Sequence, residues 1–207
     1  GAGCIAEGLP VKREHKHKAW VSIMNGCNNF CTYCIVPYVR GRERSRYKED
    51  ILEEIRAVVN DGCHEITLSS LSTSDYRQLR ELTDEMIPYC ADHKINLSVP
   101  SLRADNFSRE LMQKLQTLRK SGLTFAPEAG TQRLRDVINK NLTEEEILSS
   151  CAIAFSGGWN NVKLYFMLGL PTETDEDVLG IAELVFKIIN TWKECASNKK
   201  RGLRVHV

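Results

Sequence analysis

The 207-residue chain contains no apolar run approaching the roughly 20 residues needed to span a bilayer. Nothing in it resembles a secretory signal peptide. These absences argue against a membrane-spanning or secreted protein, and a cytoplasmic location with no membrane partner is expected. Charge of one sign is not in excess either: 28 Lys and Arg stand against 27 Asp and Glu, a formal net charge of +1. Composition therefore offers no global electrostatic argument for nucleic-acid binding. Eight cysteines are present, but they lack the regular pairing of a disulfide framework. Cys4, Cys63, Cys90, Cys151 and Cys195 are scattered over a chain long enough to bury a core without staples. They read as small buried apolar groups, with a second metal-cluster set as the alternative.

The other three cysteines stand together. Cys27, Cys31 and Cys34 lie in CNNFCTYC, a Cys-x3-Cys-x2-Cys spacing with no fourth ligand nearby. An iron–sulfur cubane is normally held by four thiolates, so three leave one iron with an open coordination position. The competing reading is a structural zinc site completed by His15 or His17. Such sites favour paired Cys-x2-4-Cys hooks, and these histidines fall in a Lys-rich HKHK tail that reads as a solvated linker. Ligand count and spacing favour the cluster.

Along the chain, residues 1–18 read as a basic linker and 19–207 as one core domain. Strands are expected at Trp20 to Met24, Glu65 to Ser69, Ile95 to Val99, Leu123 to Ala126, Val162 to Leu168 and Leu203 to Val207. Helices are expected near 48–60, 75–90, 108–120, 131–138, 143–156 and 174–194. Thr143 with Glu146 forms a capping-box pattern, and Asp175, Glu176 and Asp177 sit where a helix dipole favours acids. The last helix is expected to bury Val178, Leu179, Ala182, Val185, Phe186, Ile189 and Trp192. Repeated strand–helix–strand units imply right-handed crossovers and a parallel sheet, the α/β class.

Doubly covered parallel strands usually read as continuous apolar runs, whereas these alternate. Ile66 and Leu68 oppose Glu65, Thr67 and Ser69; Leu164, Phe166 and Leu168 oppose Lys163, Tyr165 and Met167. One face can then pack on helices while the other stays polar. The expectation is a splayed, partial TIM-like (β/α)6 barrel with a wet interior, the chain ending inside the sixth strand as if truncated there. An antiparallel sheet with one solvent face is the alternative, disfavoured by the length of the helical crossovers.

The cysteine spacing, with Tyr33 just before the last cysteine, resembles the signature of the radical S-adenosylmethionine (SAM) enzymes. That resemblance implies the same six-stranded partial barrel, a 4Fe-4S cluster, and SAM bound to the open iron and cleaved to a 5′-deoxyadenosyl radical. It also implies a flavodoxin- or ferredoxin-type electron donor. Residues 8–60, including Pro37 and Arg40-Gly41-Arg42, resemble the tRNA-modifying methylthiotransferases, which makes tRNA a candidate partner. In that group a preceding domain carries three further cysteines and a following domain binds RNA. From residue 66 to 207 the motifs SSLSTSDY, FAPEAGTQRL and KLYFMLGLPTETDEDV resemble a second group of large fused radical-SAM proteins, as if two parents joined near the second strand.

The resemblance also implies roles. Tyr33 would lie beside adenine, or else be a core aromatic. Ser69 and Ser70 stand where superfamily members bind the SAM amine. Ser98, Ser101 and Arg103 follow the third strand, where ribose and carboxylate are held, although a surface salt bridge suits Arg103 equally. Glu128, in a turn resembling E-(S/A)-G-(S/T), would face SAM; Met167 and Gly169 belong to the fifth-strand turn near adenine. Lys163 and Tyr165 point inward by parity toward substrate, or toward a charge pair with Glu65 or Glu128. Arg40, Arg42, Arg44, Arg46 and Lys48 would meet RNA phosphates, or form an ordinary solvated loop. Three functions follow: a radical SAM enzyme of unknown substrate, a tRNA (N6-isopentenyladenosine-C2) methylthiotransferase fragment, or a non-catalytic binding fragment.

Overall fold

The computed structural model describes residues 17–98, 123–200 and 202–207. Strands and helices alternate through β1 (Lys18–Ser22), β2 (Met24–Asn25), α1 (Val36–Arg40), β3 (Arg44–Ser45), α2 (Lys48–Asn60), β4 (Glu65–Ser69), α3 (Leu79–Asp92) and β5 (Asn96–Ser98). They continue with β6 (Leu123–Glu128), α4 (Gln132–Val137), α5 (Glu144–Ser156), β7 (Asn161–Phe166), α6 (Asp175–Cys195) and β8 (Arg204–His206). Val99, Ser101, Arg103 and the helix expected at 108–120 lie outside the described residues.

Each of the six expected strands is present, Glu65–Ser69 unchanged and the others with one or both ends shifted by one or two residues. They form two parallel three-stranded sheets, ordered β1-β4-β5 and β6-β7-β8, with a short antiparallel β2–β3 pair beside the first. Helical crossovers join the neighbours, giving the α/β architecture of a partial (β/α)6 barrel. Val21, Ile66 and Leu97 from the first sheet share one hydrophobic core with Phe125, Val162 and Leu164 from the second. Ile51 and Ile55 of α2, Leu82 and Met86 of α3, Ile147 and Phe155 of α5, and Leu184 and Ile188 of α6 cover them. Burying one such side chain contributes about 1.5–3 kcal/mol.

The opposite sheet face is polar, as the alternation required. Across the register, Lys18 pairs with Glu65 at 2.6 Å, while Trp20, Thr124, Lys163 and Tyr165 are exposed. One helix departs from expectation. In α6 the residues turned inward are Asp177, Gly180, Leu184 and Ile188, whereas Val178, Leu179 and Phe186 are exposed. The helix is rotated because a buried capping carboxylate, Asp177, and a glycine contact at Gly180 outweigh the apolar moment.

Candidate functional site

The cysteine loop follows β2 at the carboxyl end of the first strand. It opens on Gly26, at φ +77°, where a Cβ atom would lie 2.1 Å from the Arg42 carbonyl oxygen. Only glycine permits that approach. The Cys27 N–H donates to the Gly41 carbonyl at 3.3 Å, so the Arg-Gly-Arg segment backs the loop. Asn29 donates from Nδ2 to Cys27 Sγ and to Asp75 Oδ2, both at 3.3 Å. Farther along, the Thr32 N–H donates to the Ile138 carbonyl at 3.0 Å and the Cys34 N–H to the Cys31 carbonyl at 2.9 Å. All three thiols are free and half-buried.

Among the described residues, no three His, Cys, Asp or Glu side chains converge on a point where they could hold a single metal ion. His17 stands before β1, at the far end of that strand from the loop, with its ring stacked on His64 at 6.4 Å between centroids. It cannot complete a zinc site there; His15 lies outside the described residues. Three soft thiols on one loop suit a multinuclear iron–sulfur group, which spreads its ligands around several metal atoms. Cys90 and Cys151, two of the remaining described cysteines, are buried. Burial pushes the Cys90 thiol up to about 11 and the Cys151 thiol up to about 12, which suppresses the thiolate a metal needs. The packing reading of these residues fits.

Opposite the loop stands the end of β6. The β6–β7 register shifts between Phe125 and Glu128, and Glu128 takes φ +68°. Non-glycine residues in that region cluster at functional sites. Its carbonyl accepts the Met167 N–H at 2.8 Å. The Glu128 carboxylate receives Lys140 Nζ at 3.2 Å, and the same ammonium lies 3.4 Å from the Tyr33 hydroxyl. Burial, and then the negative charges of Glu128 and Cys31, hold the Tyr33 phenol well above its ordinary range. Tyr33 is thus a neutral hydroxyl at neutral pH; being 38% exposed, it is not a core aromatic.

The turn after β6 is anchored from below. Thr131 caps α4 and donates its hydroxyl to Asp177, which also receives Arg133 and the Thr174 N–H, the last at 2.9 Å. Fully buried Arg135 donates to the carbonyls of Ala129 at 3.0 Å, Gly130 at 3.2 Å and Leu142 at 3.1 Å. At Gly130 a Cβ atom would lie 2.3 Å from the Ile181 nitrogen. Glu128 is therefore presented by a turn locked against α6.

The other expected residues fall as follows. Ser69 is exposed at the end of β4, its carbonyl accepting the Ile23 N–H at 3.1 Å; the half-buried Ser70 shares a 2.8 Å hydroxyl contact with Thr73. Ser98 ends β5 beside Thr67. Met167 packs on Ala129, Leu134, Ile138 and Leu170. Gly169, at φ +77°, donates its N–H to Glu173 Oε2 at 2.6 Å. Lys163 and Tyr165 lie exposed on the polar face; the charge pair considered for Lys163 is absent among the described residues, because Lys18 and Lys140 take Glu65 and Glu128. In the basic stretch, Arg46 pairs with Glu54 at 2.7 Å and Lys48 with Glu85 at 2.5 Å. Arg40 and Arg42 are exposed, the latter over the Phe30 ring at 5.9 Å. Lys140 and Asn139 were missed by sequence reasoning, although two asparagines flanking a lysine just past a helix are a signal for left-handed turn residues.

The neighbours of this fold agree with it. The radical SAM methyltransferase TsrM from Kitasatospora setae superposes with a TM-score of 0.70 at 15% identity over 89% of this chain and 38% of its own. Coproporphyrinogen III oxidase (HemN) from Escherichia coli gives 0.58 at 11% identity over 84% of this chain and 43% of its own. Among curated proteins, the tRNA-2-methylthio-N(6)-dimethylallyladenosine synthase of Carboxydothermus hydrogenoformans is 37% identical over 202 residues, 90% of this chain and 44% of that protein. The synthase of that name from Desulforamulus reducens is 34% identical over 194 residues, 89% of this chain and 42% of its length. The chain thus spans less than half the length of these relatives, and the match continues past residue 66, where a change of resemblance was expected. The Radical SAM superfamily model matches residues 21–185, and with the three-cysteine loop at the mouth of a partial barrel the conclusion is direct: the chain belongs to the radical SAM superfamily.

Proposed function

We propose that this chain is the catalytic core, residues 19–207, of an enzyme that methylthiolates an N6-prenylated adenosine in tRNA. The observation that carries this reading is the 34–37% identity to synthases of that name over about nine-tenths of the chain. As a radical SAM enzyme it uses a 4Fe-4S cluster and SAM. When bound, these supply reductive cleavage of SAM to methionine and a 5′-deoxyadenosyl radical.

The chain's own residues hold and orient these groups. Cys27, Cys31 and Cys34 are assigned as the three thiolate ligands, leaving the fourth corner to SAM. Tyr33 offers a neutral hydroxyl and a ring face at the rim. Glu128, steadied by Lys140, presents a carboxylate for SAM; Ser69, Ser70 and Ser98 supply further polar contacts, and Ser101 and Arg103, outside the described residues, are assigned to SAM from the sequence alone. Met167 and Gly169 border the adenine, and Lys163 and Tyr165 face the nucleoside from the polar barrel wall. Arg40 and Arg42, the exposed cations of the basic stretch, meet RNA phosphates. A flavodoxin- or ferredoxin-type protein delivers the electron.

Among the described residues, no helix is long and apolar enough to cross a membrane, and the free thiols suit the cytoplasm, where we place the reaction. Nucleoside mass spectrometry of tRNA from a strain deleted for the gene that carries this chain is the test. Loss of the 2-methylthio mark with accumulation of the prenylated precursor is expected. An unchanged mark would remove tRNA as the substrate.

A further inference from the structure

Between Cys27 and Cys31 two backbone carbonyls of the loop are held by one side chain from the turn after α4. Asn139 Nδ2 donates to the Asn29 carbonyl at 3.3 Å and to the Phe30 carbonyl at 2.9 Å. The turn that carries it has left-handed backbone at Asn139, φ +51°, and Asn141, φ +48°, and Phe30 across from it has φ +47°. The two carbonyls are thereby turned toward α4. A trans peptide sets its N–H antiparallel to its C=O, so the N–H groups of Phe30 and Cys31 point away from Asn139. Neither donates to any group among the described residues.

We infer that Asn139 is a positioning residue for the cluster loop: by drawing two carbonyls outward it leaves the Phe30 and Cys31 N–H groups to the cluster's sulfur atoms. The inference rests on the cluster assignment above. Carbonyl dipoles facing an anionic cluster would be repelled, whereas N–H donors stabilise its reduced, more negative state. Hydrogen bonds to cluster sulfurs are among the features that set reduction potential. Merely ending α4 would not require this amide. A left-handed residue after a helix serves as a cap through its backbone, and glycine would do so equally well.

That difference supplies the test. Asn139→Gly keeps the left-handed turn and deletes the amide; Asn139→Asp keeps the shape but turns a carboxylate toward two carbonyls. Gln132→Ala is the control, because Gln132 sits at the other end of α4 and bonds Asp136 at 2.7 Å and the Glu144 N–H at 3.1 Å without touching the loop. Two quantities are read: amide hydrogen exchange at Thr32 in the metal-free protein, and the midpoint potential of the reconstituted cluster by EPR-monitored titration. Asn139→Gly is expected to speed Thr32 exchange about tenfold, the equivalent of one hydrogen bond, and to shift the potential. Asn139→Asp is expected to give a more negative potential than wild type. Gln132→Ala is expected to lower the melting temperature and change neither readout. Wild-type exchange and potential in Asn139→Gly, or the same shifts in Gln132→Ala, would overturn the positioning role. A wild-type chain that loads no iron overturns the cluster assignment itself, a distinct result.

Discussion

Replacing Glu128 by Gln separates a SAM ligand from a structural brace. The carboxylate accepts Lys140 Nζ at 3.2 Å, and the two side chains are 17% and 12% exposed. Amidation removes a charge while preserving size, and a hydrogen bond to a charged group is worth about 1.5–3 kcal/mol. Partial solvent access reduces the share that Lys140 feels to about 1–2 kcal/mol. At roughly 2–4 °C per kcal/mol for a chain of this size, the melting temperature should fall by about 2–8 °C. If the carboxylate also contacts SAM, losing a second charged hydrogen bond should weaken binding about 10- to 100-fold. Anaerobic calorimetry with SAM reads this directly, and iron content confirms that the cluster is intact. Adding Lys140→Met to Glu128→Gln should recover part of the lost stability without restoring affinity, since no ammonium is then left unpaired. A lowered melting temperature with unchanged SAM affinity would refute the ligand role and leave Glu128 as a partner of Lys140 alone.

Gly26→Ala should abolish cluster loading, because the new methyl group would meet the Arg42 carbonyl in a backbone conformation that already costs an L-residue about 1–2 kcal/mol; iron analysis after reconstitution checks it. Asp177 is held below the usual carboxylate range, first by Arg133 and then by Thr131, so its contribution is present above the unfolded pKa and lost as pH falls through the folded one. The melting-temperature gap between wild type and Asp177→Asn should be constant near neutrality and narrow below about pH 4. Cys63→Ala and Cys151→Ala should load iron normally and lose a few degrees of stability, whereas Ala at Cys27, Cys31 or Cys34 should prevent loading. The 207 residues alone should cleave SAM slowly but yield no 2-methylthio product with tRNA, sulfide and reductant, because their other five cysteines are scattered singly along the sequence. Nucleoside mass spectrometry detects the product, and its appearance would show that a second triplet is dispensable.

Local chemistry made much of this legible from sequence. Helix 48–60 agrees with the structure at both ends, and Thr143 and Glu146 form the capping box their spacing implied. Strand parity placed Ile66, Leu68 and Leu164 in the core and left Lys163 and Tyr165 on the open face, since period-2 alternation admits only two orientations. Long-range partners were not legible. The rotation of α6 depends on Arg133 and Thr131 burying Asp177 from another helix, which no pattern within 174–194 contains. Lys140 follows α4 between two asparagines, with no pattern that names its partner; only the fold brings it to Glu128, and brings Asn139 to a loop 109 residues earlier.

The central claim is that three thiols at the mouth of this barrel hold an iron–sulfur cluster with one iron open to SAM. Iron and sulfide analysis of the anaerobically reconstituted chain, with EPR of the dithionite-reduced sample before and after SAM, tests it most directly. One four-iron cluster per chain is expected, with an EPR signal that SAM alters because it binds the open iron. Stoichiometric zinc without iron, or a cluster signal indifferent to SAM, would contradict it.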